Sequence, residues 1–300
     1  MMKVTKDGGK AGNTVVLLTG ATGFLGKKIY GILSKDFKVV GIGKTKDCDV
    51  VMDLLDQSKL ESFIESSKPD IIIHTVAIAD PDICENNQEE AYAVNVKITQ
   101  YLCQICREKN IKLIFISTDY VFDGDYAGEY LSGHERQPKN YYGLTKVWAE
   151  DLVTKLDDYL LIRMPILYGF NDAGDKETFV TKIIKKMADD NEIFLDNEQT
   201  RYPVLIDDVA IALKALLAEG AQGIWQISRD LPVTKYTWGK LIAETFSLNA
   251  DLIKPQKAGG DMASRPKRIK MDTSRINTLD IAINNVDMGL RIMHQQMKRL

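Results

Sequence analysis

Three hundred residues, 45% of them hydrophobic and 27% charged, are enough to bury a sizeable core and fit an ordinary globular chain. A net charge of −3 and a pI near 5.8 argue against nucleic-acid binding. No apolar run approaches the ~20 residues that cross a bilayer.

Residues 1–13, MMKVTKDGGKAGN, are polar and Gly-rich without an apolar signal core. They read as a flexible tail on a cytoplasmic protein. Strand and helix patterns then alternate. TVVLLTG is an apolar run ended by glycine, and GFLGKKIYGILSK has helical spacing. FKVVGIG and the short DVVMDL follow, then helical QSKLESFIESS and the run PDIIIHTVA. QEEAYAVNVKITQYLCQICREKN reads as one long helix before IKLIFISTDY. A helix from about Asn140 through YYGLTKVWAEDLVTKL precedes DYLLIRMPILYG. These Val- and Ile-rich runs do not alternate, as expected of strands buried on both faces of a parallel sheet. The fold class is therefore α/β, a doubly wound Rossmann sheet over residues 14–170. Residues 171–300 are expected to form mainly a smaller substrate-binding lobe, with a segment near 223–228 returning to the sheet. Cys103 and Cys106 form a C-x-x-C on a helix with no second cysteine pair. They read as buried thiols, and no metal site is expected.

TGATGFLG sets Gly20, Gly23 and Gly26 between the first strand and first helix, with Thr22, Phe24 and Leu25 among them. Such spacing serves a tight turn, close approach to a pyrophosphate and close helix packing, at a helix N-terminus that favours anions. The second strand ends in Lys44, Thr45 and Lys46, where NAD sites place an acid. Lys44 or Lys46 suits a 2′-phosphate, so NADP(H) is favoured, with NAD(H) possible. Asp53, beside Leu54, is placed either to meet the adenine amine or to cap a helix.

Thr118 closes the fifth strand in STDYVFDG, and Tyr142 and Lys146 stand four apart in YYGLTK. On a helix the two share a face. An ammonium near the phenol would lower its pKa and suit a general acid–base acting on a carbonyl.

These residues resemble the signature of extended short-chain dehydrogenase/reductases. STDYVFDG, NYYGLTKVWAE and RMPILYG narrow the resemblance to the dTDP-4-dehydrorhamnose reductase group, which includes the regulatory β subunit of methionine adenosyltransferase. The resemblance implies that Tyr142 protonates the C4 oxygen of a nucleotide-linked 4-keto-6-deoxy sugar while NADPH delivers hydride. It implies that Lys146 binds the nicotinamide ribose, that Thr118 shares the oxyanion and that Asp119 lies with the substrate. Val76 and Ala77 would line the dinucleotide groove, and Asn95 would sit near it. Arg265 would approach the sugar nucleotide's phosphates, with Lys267 and Arg268 solvated. The partner is then a sugar nucleotide, with a homodimer possible. RMPILYG lacks the tryptophan usual in such reductases, the second strand lacks an acid, and HTVA replaces an asparagine and alanines. Those departures lean toward the regulatory branch, whose partner would be a methionine adenosyltransferase catalytic subunit.

Overall fold

Seven short strands form one parallel sheet in the computed structural model, which describes residues 13–170, 177–229, 231–259 and 262–299. Almost all of the expected N-terminal tail lies outside the described residues.

In chain order the elements are β1 (Val15–Thr19), α1 (Phe24–Leu33), β2 (Lys38–Gly43), β3 (Val50–Val51), α2 (Gln57–Ser67) and β4 (Ile71–His74). Next come α3 (Pro81–Asn86), α4 (Gln88–Tyr92), a π-helical turn (Ala93–Lys97), α5 (Ile98–Lys109), β5 (Lys112–Thr118), α6 (Tyr141–Val153) and β6 (Tyr159–Met164). The rest are β7 (Leu167–Tyr168), α7 (Phe179–Ala188), β8 (Ile193–Asp196), β9 (Thr200–Arg201), β10 (Val204–Leu205), α8 (Ile206–Ala218), β11 (Gly223–Gln226), β12 (Val233–Thr234), α9 (Lys235–Thr245), β13 (Ile253–Gln256) and α10 (Val286–Met297).

The sheet order is β3-β2-β1-β4-β5-β6-β11, every pairing parallel. The strand order reverses between β1 and β4, and the crevice at the carboxyl ends there is where open α/β sheets bind ligands. The apolar strands are buried because both faces are covered. Leu18, Ile73 and Ile162 pack with Leu25 and Ile29 of α1 and Val209 and Leu213 of α8. Leu17, Ile72 and Leu113 pack with Leu60 of α2, Leu102 of α5 and Ala149 of α6. A third cluster joins Tyr168, Ile183 of α7, Trp238 of α9 and Leu290 of α10.

Two details depart from the sequence reading. Pro81 starts α3, capped by Asp80, whose carboxylate accepts from the Asp82 and Ile83 backbone N–H groups; Pro at the first helical position has the φ a helix needs. The single helix expected over QEEAY through REKN is three segments, because the Ala93–Lys97 turn closes with Ile98 N–H bonded to Ala93 O. That i→i−5 bond accommodates one extra residue. Cys103 and Cys106 are free and buried on α5, and burial pushes the Cys103 thiol up to about 12.

Candidate active site

The glycine loop turns tightly because Gly20 adopts φ +77°, open to glycine and strained for other residues. Its carbonyl accepts the Gly23 N–H at 2.9 Å. A Cβ on Gly26 would lie 2.0 Å from the Gly20 oxygen, so only glycine lets α1 sit this close to the loop. Gly23 is the N-cap of α1 without a side-chain cap, which leaves the first-turn N–H groups directed at the crevice. Thr75 and Val76 lie against Gly20, and Thr22 against Gly43 at the end of β2. Val76 and Ala77 are half-buried beside this loop. The Leu25 and Leu54 side chains, by contrast, belong to the core, and Phe24 packs against it. The loop is thus a cradle fit for a dinucleotide pyrophosphate.

At the adenine end, Lys44 and Asp53 pair at 3.4 Å with both side chains more than half exposed. The residue after β2 thus has an acid beside it that comes from beyond β3. Asp53 caps no helix: Asp56 does, accepting the Lys59 N–H at 3.2 Å, while Asp53 accepts from Leu55 N in a local turn.

Thr118, Asp119, Tyr142 and Lys146 come together at the carboxyl ends of β4 and β5. Asn140 caps α6 by accepting from Gly143 N at 2.9 Å. A Cβ on Gly143 would lie 2.3 Å from the Tyr120 oxygen, so this glycine permits α6 to touch the turn after Thr118. As a result Tyr142 is carried to the end of β5 beside Thr118, and the Tyr120 and Tyr142 rings meet edge-on at 6.2 Å.

The expected depression of the Tyr142 pKa is not found. Burial raises it, and the nearby Thr118 hydroxyl opposes only part of that rise. Lys146 lies deeper, 2% exposed. Its ammonium donates to Ile116 O at 2.6 Å and sits 4.0 Å above the Phe115 ring, and burial lowers its pKa to about 7 against the pull of Glu150. His74 is also buried, Nδ1 bonded to Thr19 Oγ1 at 2.8 Å, and desolvation together with Lys146 holds it near 3, so it is neutral.

Asn95 reaches the site indirectly. Its Oδ1 accepts from Ile78 N at 2.8 Å, and Nδ2 donates to Ile78 O and to Thr145 Oγ1, each at 3.0 Å. With both amide hydrogens engaged, Asn95 braces the loop after β4 against α6. Arg265 pairs with Asp82 at 2.9 Å, and Asn140 donates to Ser264 O at 2.8 Å. The basic loop is therefore pinned over the start of α6 and against α3. Arg268, expected in solvent, donates to Tyr202 Oη and Ala127 O.

Sequence reasoning missed the buried ion pair behind the site. Glu150, one turn beyond Lys146 and fully buried, receives Arg163 Nε and Nη2 at 2.9 and 2.7 Å and Ser117 Oγ at 2.6 Å. Arg136 adds a second cation at 3.2 Å. The available signal was an arginine inside the apolar strand DYLLIRM, since a buried charge implies a buried partner.

The family described as RmlD substrate binding domain matches residues 14–299. Methionine adenosyltransferase 2 subunit beta of Danio rerio is 30% identical over 90% of this chain and 86% of its own. The probable low-salt glycan biosynthesis reductase Agl14 of Haloferax volcanii is 31% identical over 86% of this chain and 90% of its own. The dTDP-4-dehydrorhamnose reductase of Bacillus anthracis, solved in complex with NADP, superposes with a TM-score of 0.86 at 23% identity, over 95% of this chain and 99% of its own. The chain belongs to the RmlD substrate binding domain family, within the extended short-chain dehydrogenase/reductases.

Proposed function

We propose that this protein is a cytoplasmic NADP-dependent reductase of a nucleotide-linked 4-keto-6-deoxy sugar. The observation carrying the reading is the close packing of α6 on the turn after Thr118, which brings Tyr142 to the sheet's carboxyl edge with Lys146 one helical turn away. A carbonyl oxygen placed there meets a protonated phenol, because burial keeps Tyr142 neutral at working pH. Lys146 holds a positive charge near the nicotinamide ribose, and Thr118 offers a second hydrogen-bonding oxygen. The Gly20–Gly26 cradle holds the pyrophosphate, with Thr22 and Val76 on its walls. Arg265 faces the sugar nucleotide's phosphates from the pinned loop, and residues 171–300 supply most of the substrate lobe. The nicotinamide, when bound, supplies the hydride.

Two consequences concern the cofactor. Gly26→Ala is expected to abolish NADPH binding in a fluorescence titration, since its Cβ cannot coexist with the Gly20 carbonyl. An unchanged affinity would mean that the loop is not the cradle. The Lys44–Asp53 pair is exposed, and such pairs contribute only about 0–1 kcal/mol, so Lys44 can turn to a 2′-phosphate at little cost. Lys44→Glu is expected to weaken NADPH about tenfold, or ~1.4 kcal/mol, while NADH changes little; equal effects on both would remove Lys44 from cofactor choice.

The function itself is tested by following NADPH consumption with dTDP- or UDP-linked 4-keto-6-deoxy hexoses. A second reading, a regulatory subunit of methionine adenosyltransferase, is favoured by the Danio rerio relative. Tight NADPH binding without turnover, together with association with a methionine adenosyltransferase catalytic subunit in a pull-down, would select it.

A further inference from the structure

HTVA, at the end of β4, stands where the resemblance has an asparagine and alanines. Its first two residues grip Thr19, the last residue of β1, which pairs with His74 in the parallel ladder. The His74 ring bonds Thr19 Oγ1 through Nδ1 at 2.8 Å. The Thr75 N–H reaches Thr19 O at 3.3 Å, and the Thr75 hydroxyl donates to the same oxygen at 2.7 Å. An alanine at position 75 would keep the N–H and lose the shorter bond.

Thr19 O belongs to the peptide plane that opens the glycine loop. The same plane carries the Gly20 N–H, which donates to Ile42 O of β2 at 2.8 Å. A peptide unit is rigid, so this one is held by β2 through its nitrogen and by β4 through its oxygen. Gly20 then turns at φ +77°. Thr75 Oγ1 also lies 3.4 Å from Gly20 O, and a Cβ on Gly20 would stand 2.5 Å from that hydroxyl. The hydroxyl therefore fills the space that glycine leaves open.

We infer that Thr75 is a positioning residue for the dinucleotide, its hydroxyl locking the Thr19–Gly20 peptide and so presetting the loop that receives the pyrophosphate. This rests on the reading of the Gly20–Gly26 turn as the cofactor cradle. Glycine loses more backbone freedom than any other residue when it is ordered, and this loop carries three of them. A loop fixed at its first peptide before the ligand arrives has less freedom left to lose. Affinity then rises without a new contact to the ligand. His74, 1% exposed, shares the task from the buried side through Thr19 Oγ1. The two residues thus give the departure in HTVA a purpose at the cofactor end of the site, away from Tyr142.

The test compares Thr75→Val, which exchanges the hydroxyl for a methyl of similar size, with Thr75→Ser, which keeps the hydroxyl. In a fluorescence titration NADPH affinity is expected to fall about fivefold in Thr75→Val, the worth of one net hydrogen bond. Thr75→Ser should stay within about twofold of wild type. The second probe is 2′-AMP, which carries the adenosine and the 2′-phosphate and no pyrophosphate. Its affinity should be the same in all three proteins, whereas general damage to the fold would weaken both ligands together and overturn the assignment. Hydrogen exchange on the ligand-free protein reads the loop directly. The Gly20 and Ala21 amides should exchange about fivefold faster in Thr75→Val, while the amides of α5 keep the wild-type rate. Unchanged NADPH affinity, or unchanged exchange at Gly20 and Ala21, overturns the role of Thr75 and leaves the cradle standing. Wild-type protein that binds no NADPH would instead defeat the cradle, and the task of Thr75 with it.

Discussion

Tyr142→Phe is expected to lower kcat by about a hundred- to ten-thousandfold, the usual contribution of a positioned general acid, while NADPH binding stays within about twofold. The substitution removes one oxygen and little else. The ring keeps its edge-on contact with Tyr120, and Thr118 keeps its bonds to the Asp119 carboxylate and the Tyr120 N–H. Because burial raises the Tyr142 pKa, the phenol enters the cycle protonated, the form that reduction needs. Oxidation of the corresponding alcohol needs the phenolate, so that direction should be slow at neutral pH and speed up as pH rises. Stopped-flow NADPH oxidation beside a fluorescence binding titration measures both quantities. Near-normal turnover in Tyr142→Phe would remove the phenol from the mechanism, and loss of NADPH binding would show that the ring shapes the cofactor groove.

Glu150→Ala should be the most destabilising single change outside the glycine loop. It would leave Arg163, 1% exposed, without its bidentate partner, and an uncompensated buried charge of this kind costs about 3–5 kcal/mol. For a chain of this size that corresponds to a melting temperature lower by roughly 10 °C. Arg163 would keep only its bond to Ser132 O at 2.9 Å and the Phe122 ring 5.0 Å away. The double variant Glu150→Ala, Arg163→Met should recover much of the loss, because it removes both charges and leaves an apolar side chain in β6. A single variant melting within about 2 °C of wild type would show that the pair does not brace α6 against the sheet.

The parallel sheet, the glycine loop and the meeting of Thr118 with Tyr142 were legible because they depend on local pattern. A run such as DIIIH can only be a strand buried on both faces, and Y-x-x-x-K on a helix fixes two side chains on one side. What the sequence withheld depends on distance in space. Lys44 and Asp53 are nine positions apart, and nothing in their spacing says that the turn after β3 brings them together. Asn95 looked like a groove residue because its chain position is right; its actual partners, Ile78 and Thr145, lie on separate elements. The Tyr142 pKa went the other way from expectation because the depth of burial, which sequence does not give, outweighs the nearby lysine. Arg163 in DYLLIRM carried a readable warning, but its partner could be named only once α6 was packed against β6.

The π-helical turn at Ala93–Lys97 has a consequence for the phase of the helix it interrupts. One residue on an α-helix turns the side chains by about 100°, so the extra residue sets α4 and α5 out of step with each other. Deleting a single residue from the turn would restore uniform α-helical bonding and rotate one flank by that angle. Ala91 would no longer point inward while Leu102 and Cys103 stayed in place, and Asn95 could not face Ile78 and Thr145 together. A more regular helix would thus be the poorer one here, and alignments that close this one-residue gap would misassign the inward face of everything on one side of it.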